Sequence, residues 1–224
     1  MLGMSRRLFR DRYEAGRRLA TALTDYVSRP NLLVLALPRG GVPVGYEVAR
    51  TLQASLDVML VRKLGVPGQE ELAMGALASG GILILEDEVV AAFRIPEQVI
   101  AKVAAREAVE INRQERAYRA DRPPLSVRER TIILVDDGLA TGSTMRAAAA
   151  ALKSQNPEHL AIAVPVAPPE TCEELSREVD NIVCVLTPHP FVSVGSWYQN
   201  FSQVDDEEVR ELLLAPSLAV DVWR

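Results

Sequence analysis

Ile132–Leu152, IILVDDGLATGSTMRAAAAAL, decides the fold class of this 224-residue chain. Ile132, Ile133, Leu134 and Val135 are apolar without alternation, the pattern of a strand covered on both faces in a parallel sheet. Asp136 and Asp137 follow at its carboxyl end, where open α/β sheets collect ligands. Leu139 to Thr144 then supply small side chains, Gly142 and three hydroxyls, and Met145 opens an alanine-rich helix. Gly142, Ser143 and Thr144 therefore present backbone N–H groups at a positive helix end, a setting that binds phosphate. The two carboxylates cannot share that task, but they can accept from sugar hydroxyls or hold a hydrated Mg²⁺. A diol site beside a phosphate site reads as a pocket for a sugar phosphate. A capping aspartate in an ordinary βα unit would explain one acid, but not the pair, the turn and the strand together.

Outward from this stretch the chain alternates strand and helix. Arg6–Val27 reads as a helix, Asn31–Leu37 as a strand, Val42–Leu52 as a helix and Leu56–Arg62 as a strand, a βαβ unit that implies parallel pairing. KLGVPGQEE, rich in turn formers, reads as a mobile loop. LAMGALASGGILILE reads as a hairpin turning at Gly80 and Gly81. Pro96–Arg119 is a long charged helix with Arg106–Glu110 and Glu115–Arg119 at i,i+4 spacing, and DRPPLSVRER is a connector. Strands at His159–Val166 and Asn181–Leu186 flank a helix from Pro169 to Glu178. Asp205 with Glu208 resembles a capping box for a last helix. The expected fold is α/β, a mainly parallel sheet flanked by helices with a flexible loop or hairpin. One domain is expected over 1–224, with a core at about 31–187 and a small hood from about 1–30 and 188–224.

Bulk properties narrow the classes. Apolar residues make up 48% and charged residues 25%, ordinary for a globular protein. No run approaches the ~18 apolar residues of a membrane span. MLGMSRRLFRDRYEAG lacks a signal-peptide core, so a cytoplasmic location is expected. Cys172 and Cys184 read as buried free thiols, with a bridge as the alternative. A net charge of −5 argues against a general nucleic-acid binder while leaving a local basic groove open. ATGSTM is not a P-loop and LPRGGVPVG is not a dinucleotide fingerprint. His159 and His189 lack metal-ligand spacing, and no nucleophile elbow appears.

Taken together, these residues resemble the type I phosphoribosyltransferases, whose fingerprint is four apolar residues, two acids and a small-residue loop. VDDGLATGSTM is most similar to the adenine branch. LPRGGVPVGYEVARTL resembles the family's pyrophosphate loop and the helix after it, and VRKLG resembles the start of its flexible catalytic loop. The resemblance implies 5-phosphoribosyl 1-pyrophosphate as donor, bound with Mg²⁺. Asp136 and Asp137 would accept from the ribose hydroxyls and meet the metal through water or the donor. Ala140, Thr141, Gly142, Ser143 and Thr144 would cradle the 5′-phosphate, while Arg39, Gly40 and Gly41 would meet the pyrophosphate. A strained or cis peptide near Arg39 is also implied. Arg62 and Lys63 would neutralise the leaving group, within a lid from about Lys63 to Leu72.

The resemblance implies a nitrogenous base as acceptor, purine-like in class. Ala140 stands where the 6-oxopurine branch has an aspartate, which argues against hypoxanthine or guanine transfer by the usual route. The adenine branch uses a glutamate of its flexible loop, and Glu70 and Glu71 lie in that region, with solvated loop acids as the simpler reading. HPFVSVGSWYQNF could form the hood over the base, where Phe191, Trp197 and Tyr198 either stack on it or pack beneath. Related enzymes commonly dimerise, so the resemblance also implies a homodimer. The competing reading is a regulator that senses the donor and binds nucleic acid through Arg106, Arg113, Arg116 and Arg119. Glu107, Glu110 and Glu115 dilute that row, and nucleic acid is not the expected partner.

Overall fold

The computed structural model describes residues 8–119, 122–124 and 126–215. The outermost parts of the expected hood, 1–7 and 216–224, and part of the connector lie outside the described residues. Five parallel strands form the main sheet: β1 (Leu32–Ala36), β2 (Ser55–Val58), β6 (Thr131–Val135), β7 (His159–Val166) and β8 (Asn181–Leu186), in the order β2-β1-β6-β7-β8. The helices are α1 (Arg12–Thr21), α2 (Gly41–Leu52), α3 (Asp87–Ala92), α4 (Glu97–Arg119), α5 (Ser143–Lys153), α6 (Pro169–Ser176) and α7 (Asp206–Leu214). This is the expected α/β architecture.

The apolar run of β6 follows from its central place. Ile132 and Leu134 enter one core cluster with α5, whereas Ile133 and Val135 enter the other with α1 and α2. All four are fully buried, and burying each contributes about 1.5–3 kcal/mol. A strand buried on both faces has no polar side, so period-2 alternation is absent.

β1 pairs with β6 through Leu35↔Leu134 and Ala36↔Val135. From β1 the chain crosses through α2 to β2 on one side; from β6 it crosses through α5 to β7 on the other. The chain therefore leaves β1 and β6 toward opposite sides of the sheet, which makes their carboxyl ends a topological switch point, the place where such sheets bind ligands.

Two expectations are corrected between β2 and β5. The run expected as one strand, Leu56–Arg62, is split. β2 ends at Val58, and β3 (Val61–Val66) joins β4 (Gln69–Ala78) and β5 (Ile82–Leu85) in a separate antiparallel sheet. Met59 still donates to the Ala36 carbonyl at 3.0 Å, but Leu60 bonds with Ser79 of the second sheet. The expected loop from Lys63 to Leu72 is a β-hairpin rather than an irregular segment. Its turn formers are used only at Pro67–Gly68, where Gly68 has φ +81° and Val66 faces Gln69. The turn after β4 falls at Gly80 and Gly81 as expected, both with positive φ.

The remaining differences are local. The first helix begins at Arg12, capped by Asp11 accepting from Glu14 N–H at 2.7 Å. It ends at Thr21, and a 3₁₀ turn follows at Thr24–Tyr26. Asp205 caps α7 by accepting from Glu208 N–H at 2.8 Å. Cys172 on α6 and Cys184 on β8 are joined in a disulfide, correcting the free-thiol reading; α6 packs on β8 and brings the two together. On α4, Glu115–Arg119 is present at 3.2 Å, while Arg106 pairs with the neighbouring Glu107. Among the described residues, no helix is long and apolar enough to cross a membrane.

Candidate functional site at the switch point

Asp136 and Asp137 follow directly on β6, at the switch point. Asp136 Oδ1 accepts from the Asp137 N–H at 2.8 Å. Burial, then the adjacent Asp137 charge, pushes the Asp136 carboxyl well above the usual carboxylate range. Burial also raises Asp137, against the opposing pull of Arg12.

The loop then turns into α5. Gly142 has φ +71°, a conformation costly for side-chain-bearing residues, and its added Cβ would press on Thr171 Cγ2 at 2.9 Å. Thr171 donates to the Ala140 carbonyl at 2.9 Å, fixing the loop from α6. Ala140, Thr141, Ser143 and Thr144 are exposed, and the Thr141 and Ser143 hydroxyls lie 3.0 Å apart. The N-terminus of α5 is therefore open, with hydroxyls and amides available to an anion.

The loop after β1 closes the other wall. The Pro38–Arg39 peptide is cis, as the resemblance implied. A Cβ on Gly40 would collide with the Asp137 carboxylate, and one on Gly41 would lie 2.9 Å from the Val135 carbonyl. The two loops touch backbone to side chain, which only glycine permits. Arg39 lies half-exposed, 3.5 Å from Asp206 on α7. The Tyr118 hydroxyl donates to Asp206 at 2.8 Å and Arg113 lies 3.4 Å away, so that carboxyl is held below its usual range, first by Tyr118.

The terminal segments supply contacts that sequence reasoning missed. Arg12 Nε donates to Asp137 Oδ2 at 2.7 Å, and its Nη1 donates to the Ser202 carbonyl at 2.7 Å. Its guanidinium lies 3.9 Å from the Phe201 ring centroid. The Tyr198 hydroxyl donates to the Asp137 carbonyl at 2.6 Å, and burial raises its pKa. No motif marks Arg12, which stands 125 residues from Asp137.

The other expected site residues are not gathered so closely. Arg62 and Lys63 are neighbours on β3 and point to opposite faces of the hairpin. Arg62 pairs with Glu107 of α4 at 3.0 Å, while Lys63 lies 3.6 Å from Glu71. Glu70 and Glu71 are exposed, and Glu70 accepts from Gly68 N–H at 3.2 Å. Tyr198 is buried against Phe9 and Phe201, with centroids 5.3 and 5.0 Å away, which is packing and not a free stacking face. Phe191 and Trp197 are partly buried against the same small cluster.

The family model for the phosphoribosyl transferase domain matches residues 9–197. Two strains of Mycobacterium tuberculosis carry relatives called "Putative phosphoribosyl transferase Rv0571c" and "Putative phosphoribosyl transferase MT0597", each 41% identical over 203 residues. The match covers 91% of this chain but 46% of theirs, so the chain spans about half the length of these relatives. Among solved structures, TT1426 from Thermus thermophilus is 41% identical, with a TM-score of 0.83 over 92% of this chain and 98% of that one.

Proposed function

Because the chain belongs to the phosphoribosyl transferase domain family, we propose that it moves a 5-phosphoribosyl group from 5-phosphoribosyl 1-pyrophosphate to a nitrogenous base, purine-like in class, releasing pyrophosphate. One observation carries this reading: the Gly40 backbone is pressed against the Asp137 carboxylate at the switch point. That contact supports a single site shared by the Ala140–Thr144 loop, the acid pair and the loop that carries Arg39.

In this reading the 5′-phosphate lies on the amides and hydroxyls of Ala140 to Thr144. Asp136 and Asp137 accept from the ribose 2′- and 3′-hydroxyls. The Gly40 and Gly41 amides and the Arg39 fork meet the pyrophosphate, with Arg39 leaving Asp206 for the stronger charge. Lys63 would have to leave the exposed Glu71, and Arg62 the largely buried Glu107, before either met the leaving group. Glu70 and Glu71 remain candidates for the proton at the base, and the exposed tip that carries them could close over the site and exclude water. Phe191 and Trp197 are the rings left for the base.

Mg²⁺ fits as a metal that arrives with the donor. Two adjacent carboxylates are present, one already shared with Arg12, and among the described residues no group of three or more His, Cys, Asp or Glu could hold an ion. Mg²⁺ commonly keeps waters and binds one or two carboxylates plus substrate phosphate, so no protein cage is required. When bound it would neutralise charge on the departing pyrophosphate.

The test is pyrophosphate release from the donor with Mg²⁺ across a broad panel of bases. Base-dependent release is expected; none with any base would overturn the reading. Two of the four arginines in the rival nucleic-acid row are engaged within the chain, which favours the transferase reading: Arg119 is buried with Asp57 at 2.9 Å and Arg113 pairs with Glu110 at 2.9 Å. A cytoplasmic location goes with this donor chemistry, and fractionation of cells checks it. A homodimer is part of the same reading, and light scattering of the purified chain checks that.

A further inference from the structure

We propose that Arg12 is a positioning residue of the donor site, fixing from α1 the carboxylate of Asp137 in the orientation that meets the ribose hydroxyls. This rests on the donor role of Asp137 proposed above.

The geometry is that of a built contact. The two side chains are 10% and 14% exposed, and Nε to Oδ2 is 2.7 Å. Arg12 is itself fixed at two further points, by the Ser202 carbonyl at 2.7 Å and the Phe201 ring at 3.9 Å. The room for the pair comes from a missing side chain: a Cβ on Gly40 would strike the Asp137 carboxylate and lie 3.2 Å from Arg12 Nε. Asp137 is pinned at its other end as well, where Tyr198 donates to its carbonyl. Both restraints come from segments distant in sequence, α1 and the stretch before α7.

Capacity remains for substrate. A carboxylate offers about four acceptor positions, and the Nε–H of Arg12 takes one of them. Arg12 therefore aims the group without closing it to a diol. Its charge also offsets one of two adjacent acids, which allows both to stand at the switch point. A buried carboxylate freed of this restraint would turn, and its contact with the ribose would be lost.

Calorimetric titration with 5-phosphoribosyl 1-pyrophosphate and Mg²⁺ tests this, with urea unfolding run in parallel. Arg12→Met should weaken donor binding by ~10- to 100-fold, the usual effect of losing a partner that orients a ligating group. Arg12→Lys, which keeps the charge and one donor, should recover part of that loss. In an Asp137→Asn background the Arg12→Met change should alter donor affinity by less than ~2-fold, because the two act as one unit. Unchanged affinity in folded Arg12→Met, no recovery in folded Arg12→Lys, or additive losses in the double variant would each overturn the proposal. Should Arg12→Met not fold, Arg12→Lys and Arg12→Gln carry the comparison, and equal affinity of both with the parent chain overturns it. Absence of donor binding in the parent chain would instead overturn the functional reading beneath it.

Discussion

Two ion pairs flank the switch point, and they differ in kind. Arg12–Asp137 is 2.7 Å long between side chains that are 10% and 14% exposed. Arg39–Asp206 is 3.5 Å long between side chains that are 38% and 36% exposed. The first is desolvated and held by neighbouring groups, so breaking it leaves a buried charge. The second is partly open to water, where a pair contributes at most about 1 kcal/mol. A polyanionic ligand can take Arg39 from Asp206 at little cost, but it cannot displace Arg12 so cheaply. The contrast separates a contact that shapes the site from one that gives way when the site fills.

The largest effect should come from breaking the buried pair. Arg12→Met is expected to lower the unfolding free energy by about 3 kcal/mol, since Asp137 is left without its counter-charge. Urea unfolding measures this, and a loss below about 1 kcal/mol would put the pair in the same class as its exposed counterpart. Next comes the seam between the loops. Gly40→Ala sets a methyl against the Asp137 carboxylate, and a misplacement of this size costs on the order of 100-fold in turnover. Steady-state kinetics with donor and base would show it, and wild-type turnover would refute the close approach.

Asp136→Asn should act in opposite directions on stability and binding. The folded-state pKa of Asp136 is raised above its unfolded value. Between those values the folded chain binds more protons than the unfolded one, so stability falls as pH rises through the window. Above it, asparagine removes a buried charge yet can still accept from the Asp137 N–H. Asp136→Asn should therefore be more stable than the parent chain where that carboxyl is ionised, and the gain should vanish below the ordinary carboxylate pKa. Donor affinity should drop in the same variant. Thermal unfolding across pH checks the sign, and a loss above that window would contradict it. The smallest effect is expected at the exposed pair: Asp206→Asn should change stability by no more than about 1 kcal/mol and tighten donor binding slightly by releasing Arg39. Weaker donor binding would mean that Asp206 supports Arg39 and does not merely occupy it.

Features with a local cause are legible in the residues around them. The β6 run, the positive-φ turn at Gly80 and Gly81, and the Asp205 cap depend on neighbours within a few residues. The break at Met59–Leu60 is invisible in the sequence because an apolar run looks the same whether it serves one sheet or two. The hairpin through Lys63 to Leu72 is hidden for the opposite reason: Gly65, Pro67 and Gly68 suggest a loop, but pairing with β4 absorbs Gly65, and Pro67–Gly68 form only the tight turn. The Cys172–Cys184 link depends on how α6 lies on β8, which spacing does not encode.

By itself, the order of residues determined the parallel sheet, the acid pair at a strand end and the open helix N-terminus, because each follows from periodicity and chain direction over short distances. Only the tertiary structure decided that Arg12 meets Asp137 across 125 residues, that Asp206 meets Arg39, and that Arg62 and Lys63 lie on a hairpin with separate partners. Long side chains find their counter-charges through packing, and packing is settled by the whole core rather than by any segment of it.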